Sequence, residues 1–553
     1  MGDVVRHLAW AIALVGSVAA CPACALAADP MRYDWSGFYI GAHLGGGLQV
    51  SDVADPFGPS LFGDTVRAPG PIAGGQAGYN WQFGRTLLGI EADIGWADFF
   101  GTNTCVAYSG FYVSANCVAD ADALGTLSGR VGWTFGADGG TLLYGKAGGA
   151  WMSGDVSATT NADAGTPTTS SEASRFGWML GAGAERMLSP RWSVKAEYDY
   201  LRFGGSGLAT SAGFLQTVPS PDPTTLVPVA STGTKFALDT HLLKVGLNYR
   251  LGGSGSTAAD AVVEAPPAIL ASTTLEIGAR YVYGWGRFQK DLGIPGEGLS
   301  SLASRLTYSG MNTTGGELFA RADLPNGLVA KGFIGSGNGG GSLNDEDWGL
   351  SGPPFTVFVP YSNTWSKVDD EIHYGVIDVG YDVWRDRQAR VTPFIGYSQF
   401  HQYMQGYGCV QLANPNSDCG TPVPVSVFAI AEDDTWHALR LGVAADVQIV
   451  PGLTLTADAA YLPYVRINGV DDHVLRALDS PEWANGTGAQ LELILTYAIT
   501  NQLKIGVGGR YWNMWTHSGT VDFGGDGILV PMRFSVEQAA LLFQGSLSFD
   551  SEP

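Results

Sequence analysis

Apolar and polar residues alternate along most of this chain, and the clearest run lies at 239–251. There Leu243, Val245, Leu247, Tyr249 and Leu251 share one face, and Lys244, Gly246, Asn248 and Arg250 the other. That is the period-two signature of a strand with one apolar side. Seven earlier segments repeat it, at about 36–48, 72–83, 86–98, 123–135, 141–152, 175–188 and 191–203. Each is near the ~9–11 residues that a tilted strand needs to cross a bilayer. Short turns such as Gly84-Arg85 and Ser189-Pro190 alternate with long connections, the asymmetry of an outer-membrane barrel.

Ten further segments follow, at roughly 274–287, 302–323, 327–338, 367–385, 389–405, 435–449, 453–466, 487–500, 503–516 and 533–549. In the eighth, Leu491, Leu493, Leu495, Tyr497 and Ile499 face out while Glu492 and Thr496 face in. In the ninth, Leu503, Ile505, Val507 and Tyr511 oppose Lys504 and Arg510. The fold predicted is all-β: two tandem antiparallel transmembrane β-barrels, eight-stranded over 33–251 and ten-stranded over 273–549. Residues 252–272 open on Gly252-Gly253-Ser254-Gly255-Ser256 and pass through Pro266-Pro267 without alternation, which reads as a linker. One eighteen-stranded barrel, with that stretch as a long turn, is the rival. The self-sufficient even-numbered set ending at the eighth strand favours two.

Residues 1–27 have the form of an export signal: Arg6, an apolar run from Leu8 to Ala20, then Ala25-Leu26-Ala27 as a cleavage site. Val18-Ala19-Ala20-Cys21 also fits a lipoprotein processing site with Cys21 lipidated. The chain carries 78 glycines, 16 Trp, 22 Tyr and 24 Phe, and a formal charge of −22. Rich glycine and aromatic content without a long apolar run suits an outer-membrane barrel, located in the bacterial outer membrane with its long loops extracellular. The acidic balance argues against nucleic acid as a partner. Cys105 with Cys117, and Cys409 with Cys419, form two local pairs that read as disulfides in an exported chain.

Counting strands places the candidate chemistry. If the first strand of the second barrel rises from the periplasm, connections after odd strands are external. Asn344-Asp345-Glu346-Asp347-Trp348, read as a Gly-rich and strand-free segment, then follows strand three on the outer rim. Asp471-Asp472-His473 follows strand seven, across the mouth. An Asp two positions before a His can orient the imidazole, and a separate acid pair can hold a water against it, which is equipment for hydrolysis. The candidate catalytic residues are Asp345, Asp347, Asp471 and His473. Close carboxylates repel, so one of the pair is expected to keep a proton near neutrality. The remaining histidines of this half, His373, His401, His437 and His517, and the tryptophans Trp348, Trp365, Trp512 and Trp515, read as wall, rim or girdle residues.

Tyr33-Asp34-Trp35-Ser36-Gly37-Phe38-Tyr39-Ile40-Gly41 resembles the opening of small eight-stranded outer-membrane surface proteins. The second half resembles the omptins, ten-stranded outer-membrane aspartyl endopeptidases. Asp345-Glu346-Asp347-Trp348 is similar to the family's Asp-x-Asp-Trp and Asp471-Asp472-His473 to its Asp-x-His, while Ser366 falls where omptins carry a Ser. The resemblance implies that Asp471 orients His473, and that His473 activates a water opposite Asp345 and Asp347. It implies no metal, no cofactor and no acyl-enzyme, with peptide or protein substrates and a requirement for lipopolysaccharide. Gly469 stands where omptins selective for basic residues carry an acid, which removes the expectation of an Arg or Lys preference. Two other functions fit the same barrels: a catalytically silent surface or adhesion protein, and a porin-like passive pore.

Overall fold

The computed structural model describes residues 33–54, 65–105, 115–136, 138–160, 169–172, 175–209, 214–216, 226–228, 233–251, 273–296, 298–350, 358–385, 389–412, 417–525 and 527–550. The export signal at 1–27, the Cys21 alternative and the linker at 252–272 lie outside the described residues.

Two separate antiparallel rings account for most of the described residues. The first has eight strands: Gly37–Ala54, Thr65–Phe83, Thr86–Cys105, Ala115–Phe135, Thr141–Ser153, Arg175–Met187, Trp192–Ala209 and Gly233–Leu251. It closes where Phe38 pairs with Leu251 and Leu44 with Val245. The second has ten: Thr274–Ile294, Gly298–Asp323, Leu328–Leu350, Phe358–Tyr381, Ala389–Gln411, Val423–Val450, Leu453–His473, Leu478–Ala498, Leu503–Asp522 and Leu529–Asp550. It closes where Ile277 pairs with Leu547 and Asp291 with Arg533. Two rings rather than one of eighteen strands is therefore the arrangement, and every expected strand is present.

The first lumen is filled by charge. Lys146 lies 2.6 Å from Glu197, Lys244 2.7 Å from Asp199, Lys195 3.2 Å from Glu91 and Arg130 2.9 Å from Glu185, all buried. Lys195, Glu197 and Asp199 thus face inward, as their alternation indicates, and a small eight-stranded barrel leaves room for little beyond such side chains.

Length is where expectation and structure differ. Strands of 20 to 28 residues in the second barrel are about twice what the bilayer requires. Exposed apolar side chains, among them Ile277, Tyr283, Ile334, Ile377, Tyr397 and Phe543, ring its lower half. Outward-facing Glu371, His373 and Asp433 end that band, so everything above them stands clear of the lipid. Asn344–Asp347 is therefore not strand-free. It lies within Leu328–Leu350, paired to Thr307, Leu306, Arg305 and Ser304 on one side and to Trp365, Thr364, Asn363 and Ser362 on the other. Likewise Asp471–His473 is the end of a strand, paired to Leu478–Ser480. The glycines at 337–341 stay in the ladder because backbone pairing does not need side chains.

Inside the second barrel, Phe288, Tyr308, Trp436 and Phe534 meet at the level just above the band, with Phe288 5.4 Å and Trp436 6.0 Å from the Phe534 ring. They are nearly inaccessible to solvent and form an aromatic floor. Below it lies a cavity of about 360 Å³ lined by Arg321, Lys331, Arg440, Asp446, Asp458 and Glu492 among others. The floor separates that charged cavity from the mouth.

Candidate active site at the barrel mouth

Alternation decides which side chains enter the mouth. Lumen-facing Leu343 and Leu306 fix the parity of their strands, which turns Asp345 and Asp347 inward and Asn344 and Glu346 outward. On the seventh strand the same rule turns Asp471 and His473 inward. The third and seventh strands stand across the ring from each other, and the four predicted residues converge there. His473 Nδ1 lies 3.2 Å from Asp471 Oδ1. That is close enough for charge pairing but not aligned as a strong hydrogen bond, a looseness common in catalytic pairs without substrate. The His473 ring stands edge-on to Phe523, 5.7 Å away.

The electrostatics divide the four groups into two pairs. Burial pushes the Asp345 carboxyl up, and the negative charge of Asp347 adds to it, raising it to about 8 against the opposing pull of His473. Asp347 is also raised, again chiefly by burial, while Arg476 and a bond from Ser304 resist. Burial acts to raise Asp471 too, but His473 and Lys290 overcome it and hold this carboxyl well below the usual range. For His473, burial works against the charged form, yet Asp471 outweighs it and the imidazole is net raised. One acid that keeps its proton thus faces an Asp–His pair that is ionised at Asp471.

Beneath the pair lies a cluster that sequence reading missed. Glu432 is the register partner of Asp471, and Asp434 and Glu482 flank Gly469 on either side. All three acids are buried. Lys290 crosses from the first strand, placing Nζ 2.6 Å from Glu432 Oε1, 2.8 Å from Asp471 Oδ2 and 3.1 Å from Glu482 Oε2. Burial would strip Lys290 of its charge, but Asp471, Glu432 and Glu482 keep it an ammonium. Burial raises Glu482 to about 8, and Glu432 and Asp434 are raised as well. A Cβ on Gly469 would collide with the Asp434 carboxylate and come within 2.8 Å of the Asp433 carbonyl. Asp434, from the neighbouring strand Val423–Val450, fills the space that a side chain at 469 would need. Extending the inward parity of Val282 and Phe288 by one more step would have pointed Lys290 into the lumen.

Ser366 does not join the four: its hydroxyl donates to the Gly408 carbonyl at 2.8 Å. The mouth is bordered instead by the Cys409–Cys419 disulfide and the Arg476–Asp418 ion pair. Cys105 and Cys117 are bonded too. Cys419 and Ala477 are the two non-glycine residues with positive φ among the described residues, at 57° and 49°. Both sit in segments that border the site. His373 and His401 face outward beside Glu371 and Asp433, and Trp512 packs in the lumen against Phe333, so all three are wall residues.

Comparison with known proteins bears mainly on the fold and its location. Residues 11–250 match the family model described as an outer membrane protein beta-barrel domain. The 31 kDa outer-membrane immunogenic protein of Brucella melitensis is 30% identical over 245 residues, 41% of this chain and 89% of that protein. The 22 kDa outer membrane protein of Rhizobium leguminosarum is 32% identical over 169 residues, 30% of this chain and 63% of that one. Among solved structures, the outer membrane protease OmpT of Escherichia coli covers 50% of this chain and 97% of its own, at 11% identity and a TM-score of 0.40. Neisserial surface protein A covers 39% and 98%, at 13% identity and a TM-score of 0.19. With its eight-stranded barrel so matched, the chain belongs to the outer-membrane β-barrel protein family, and its place is the bacterial outer membrane.

Proposed function

We propose that this protein is a cell-surface endopeptidase that hydrolyses peptide bonds with a water held between His473 and Asp345. The observation that carries this reading is the convergence, across the mouth, of a charge-paired Asp471–His473 with a carboxyl at Asp345 that keeps its proton to about pH 8. Asp471 orients the imidazole through Nδ1, leaving Nε2 to take a proton as the water oxygen attacks the scissile carbonyl carbon. The protonated Asp345 donates a hydrogen bond to the developing oxyanion, which Asp347 would otherwise oppose. His473 then returns its proton to the departing amine as the C–N bond breaks. The aromatic floor beneath limits water to the open side and so strengthens each of these interactions. The likeness of Asp345-Glu346-Asp347-Trp348 and Asp471-Asp472-His473 to omptin motifs supports the same chemistry.

The test is cleavage of a peptide library by the full-length chain, with and without lipopolysaccharide, beside His473→Ala. Cleavage that disappears in the variant is the expected outcome, and lipopolysaccharide is expected to raise it. A folded wild-type chain that cleaves nothing under either condition would sink the reading. It would leave a second reading in place: a surface protein without catalysis, which the immunogenic outer-membrane relatives favour.

A further inference from the structure

We propose that the first barrel is a positioning partner of this site, gripping from outside the strand pair whose inner face carries Asp345 and Asp347. The inference rests on the endopeptidase reading and extends it to the other half of the chain.

Between the two inward aspartates, Glu346 points outward yet is buried, and its carboxylate accepts a hydrogen bond from Thr104 Oγ1 of the first barrel at 2.6 Å. Its register partner Arg305 is equally buried. That guanidinium donates to Asp291 through Nε at 2.7 Å and Nη2 at 3.2 Å. It also donates across to the first barrel: to Thr104 Oγ1 at 3.1 Å, Thr102 Oγ1 at 3.1 Å and Asn116 Oδ1 at 2.8 Å. Arg533 brings a second guanidinium to Asp291 at 2.7 Å and lies over the Phe100 ring, 4.9 Å from its centroid. Thr104 and Asn116 directly precede Cys105 and Cys117, so the disulfide ties together the two strand ends that reach the second barrel.

Successive residues of a strand face opposite ways. The backbone bearing Asp345 and Asp347 therefore cannot shift without pulling Glu346 and Arg305 from these contacts. A buried guanidinium stripped of acceptors is strongly destabilising, which makes the grip stiff. Water attack is sensitive to displacements of about 1 Å.

The experiment uses the full chain in lipopolysaccharide-containing vesicles. Thr104→Val removes the hydroxyl shared by Glu346 and Arg305 while keeping its shape, and Thr104→Ser keeps the hydroxyl. The valine variant is expected to lose about 10–100-fold in kcat with KM little changed, and the serine variant to retain activity. Backbone amide exchange across 344–347 should quicken in the valine variant alone. An active chain whose kcat ignores Thr104→Val overturns this proposal by itself. An inert wild-type chain overturns the endopeptidase reading and this one with it.

Discussion

Asp345 and Asp347 differ in what they do although only Glu346 separates them. With Asp345 raised to about 8 and His473 raised above its usual value, activity should follow a bell. The acid limb reflects His473 losing its proton to become a base, and the alkaline limb reflects Asp345 ionising. The coupled set titrates as a unit. In Asp347→Asn a negative neighbour that raises Asp345 is gone. Its pKa falls, and the alkaline limb should move to lower pH in a kcat/KM profile. Lys290 acts from the other side: its positive charge holds His473 down, so Lys290→Met should move the acid limb to higher pH. That variant also leaves buried acids without their cation and should lose about 3–5 kcal/mol of stability, read by denaturant unfolding. Because this acid cluster already holds its own ammonium, peptides cut by the wild-type chain should show no enrichment of Arg or Lys at the bond. The four candidate residues were legible because each pair is local in sequence. Lys290, Glu432, Asp434 and Glu482 were not, since they come from three other strands and meet only after closure.

At the scale of the strand, the membrane-crossing halves could be read and the projecting halves could not. Leu503, Ile505 and Val507 meet lipid and face away from a charged lumen, so alternation is strong there. From Leu302 to Tyr308 every described side chain is buried, one face on the lumen and the other toward the first barrel. Period two vanishes when both faces are covered, and the segment around Asp345 then reads as a loop. Gly469 is a related case. Its position has inward parity, but Asp434 occupies the space that a side chain would need. Gly469→Ala should therefore destabilise the second barrel by about 1–3 kcal/mol, the usual range for overpacking. Loss of activity in that variant should accompany a lower unfolding midpoint.

For the molecule as a whole, the barrels meet above the apolar band through polar pairs, Arg67 with Glu537 and Arg305 with its three first-barrel acceptors, and lower down Gly46 comes close to Ala489 and Leu491. Nothing in either half's alternation signals it, because outward polar residues above a membrane read as solvated surface. A cleavage site engineered into 252–272 should leave the two halves co-migrating in mild detergent after cutting. Arg305→Ala should let them separate, which size-exclusion chromatography would register.

The Asp345-Glu346-Asp347 triplet also limits how this gene can vary. Its three acids serve the lumen, the neighbouring barrel and the lumen again, in strict order. Loss of one codon between Ser336 and Leu343 would keep the reading frame and every acid, yet turn both aspartates toward Thr104 and present Glu346 to the water. Inheritance can exchange single letters here, but it cannot shorten this ribbon by one link.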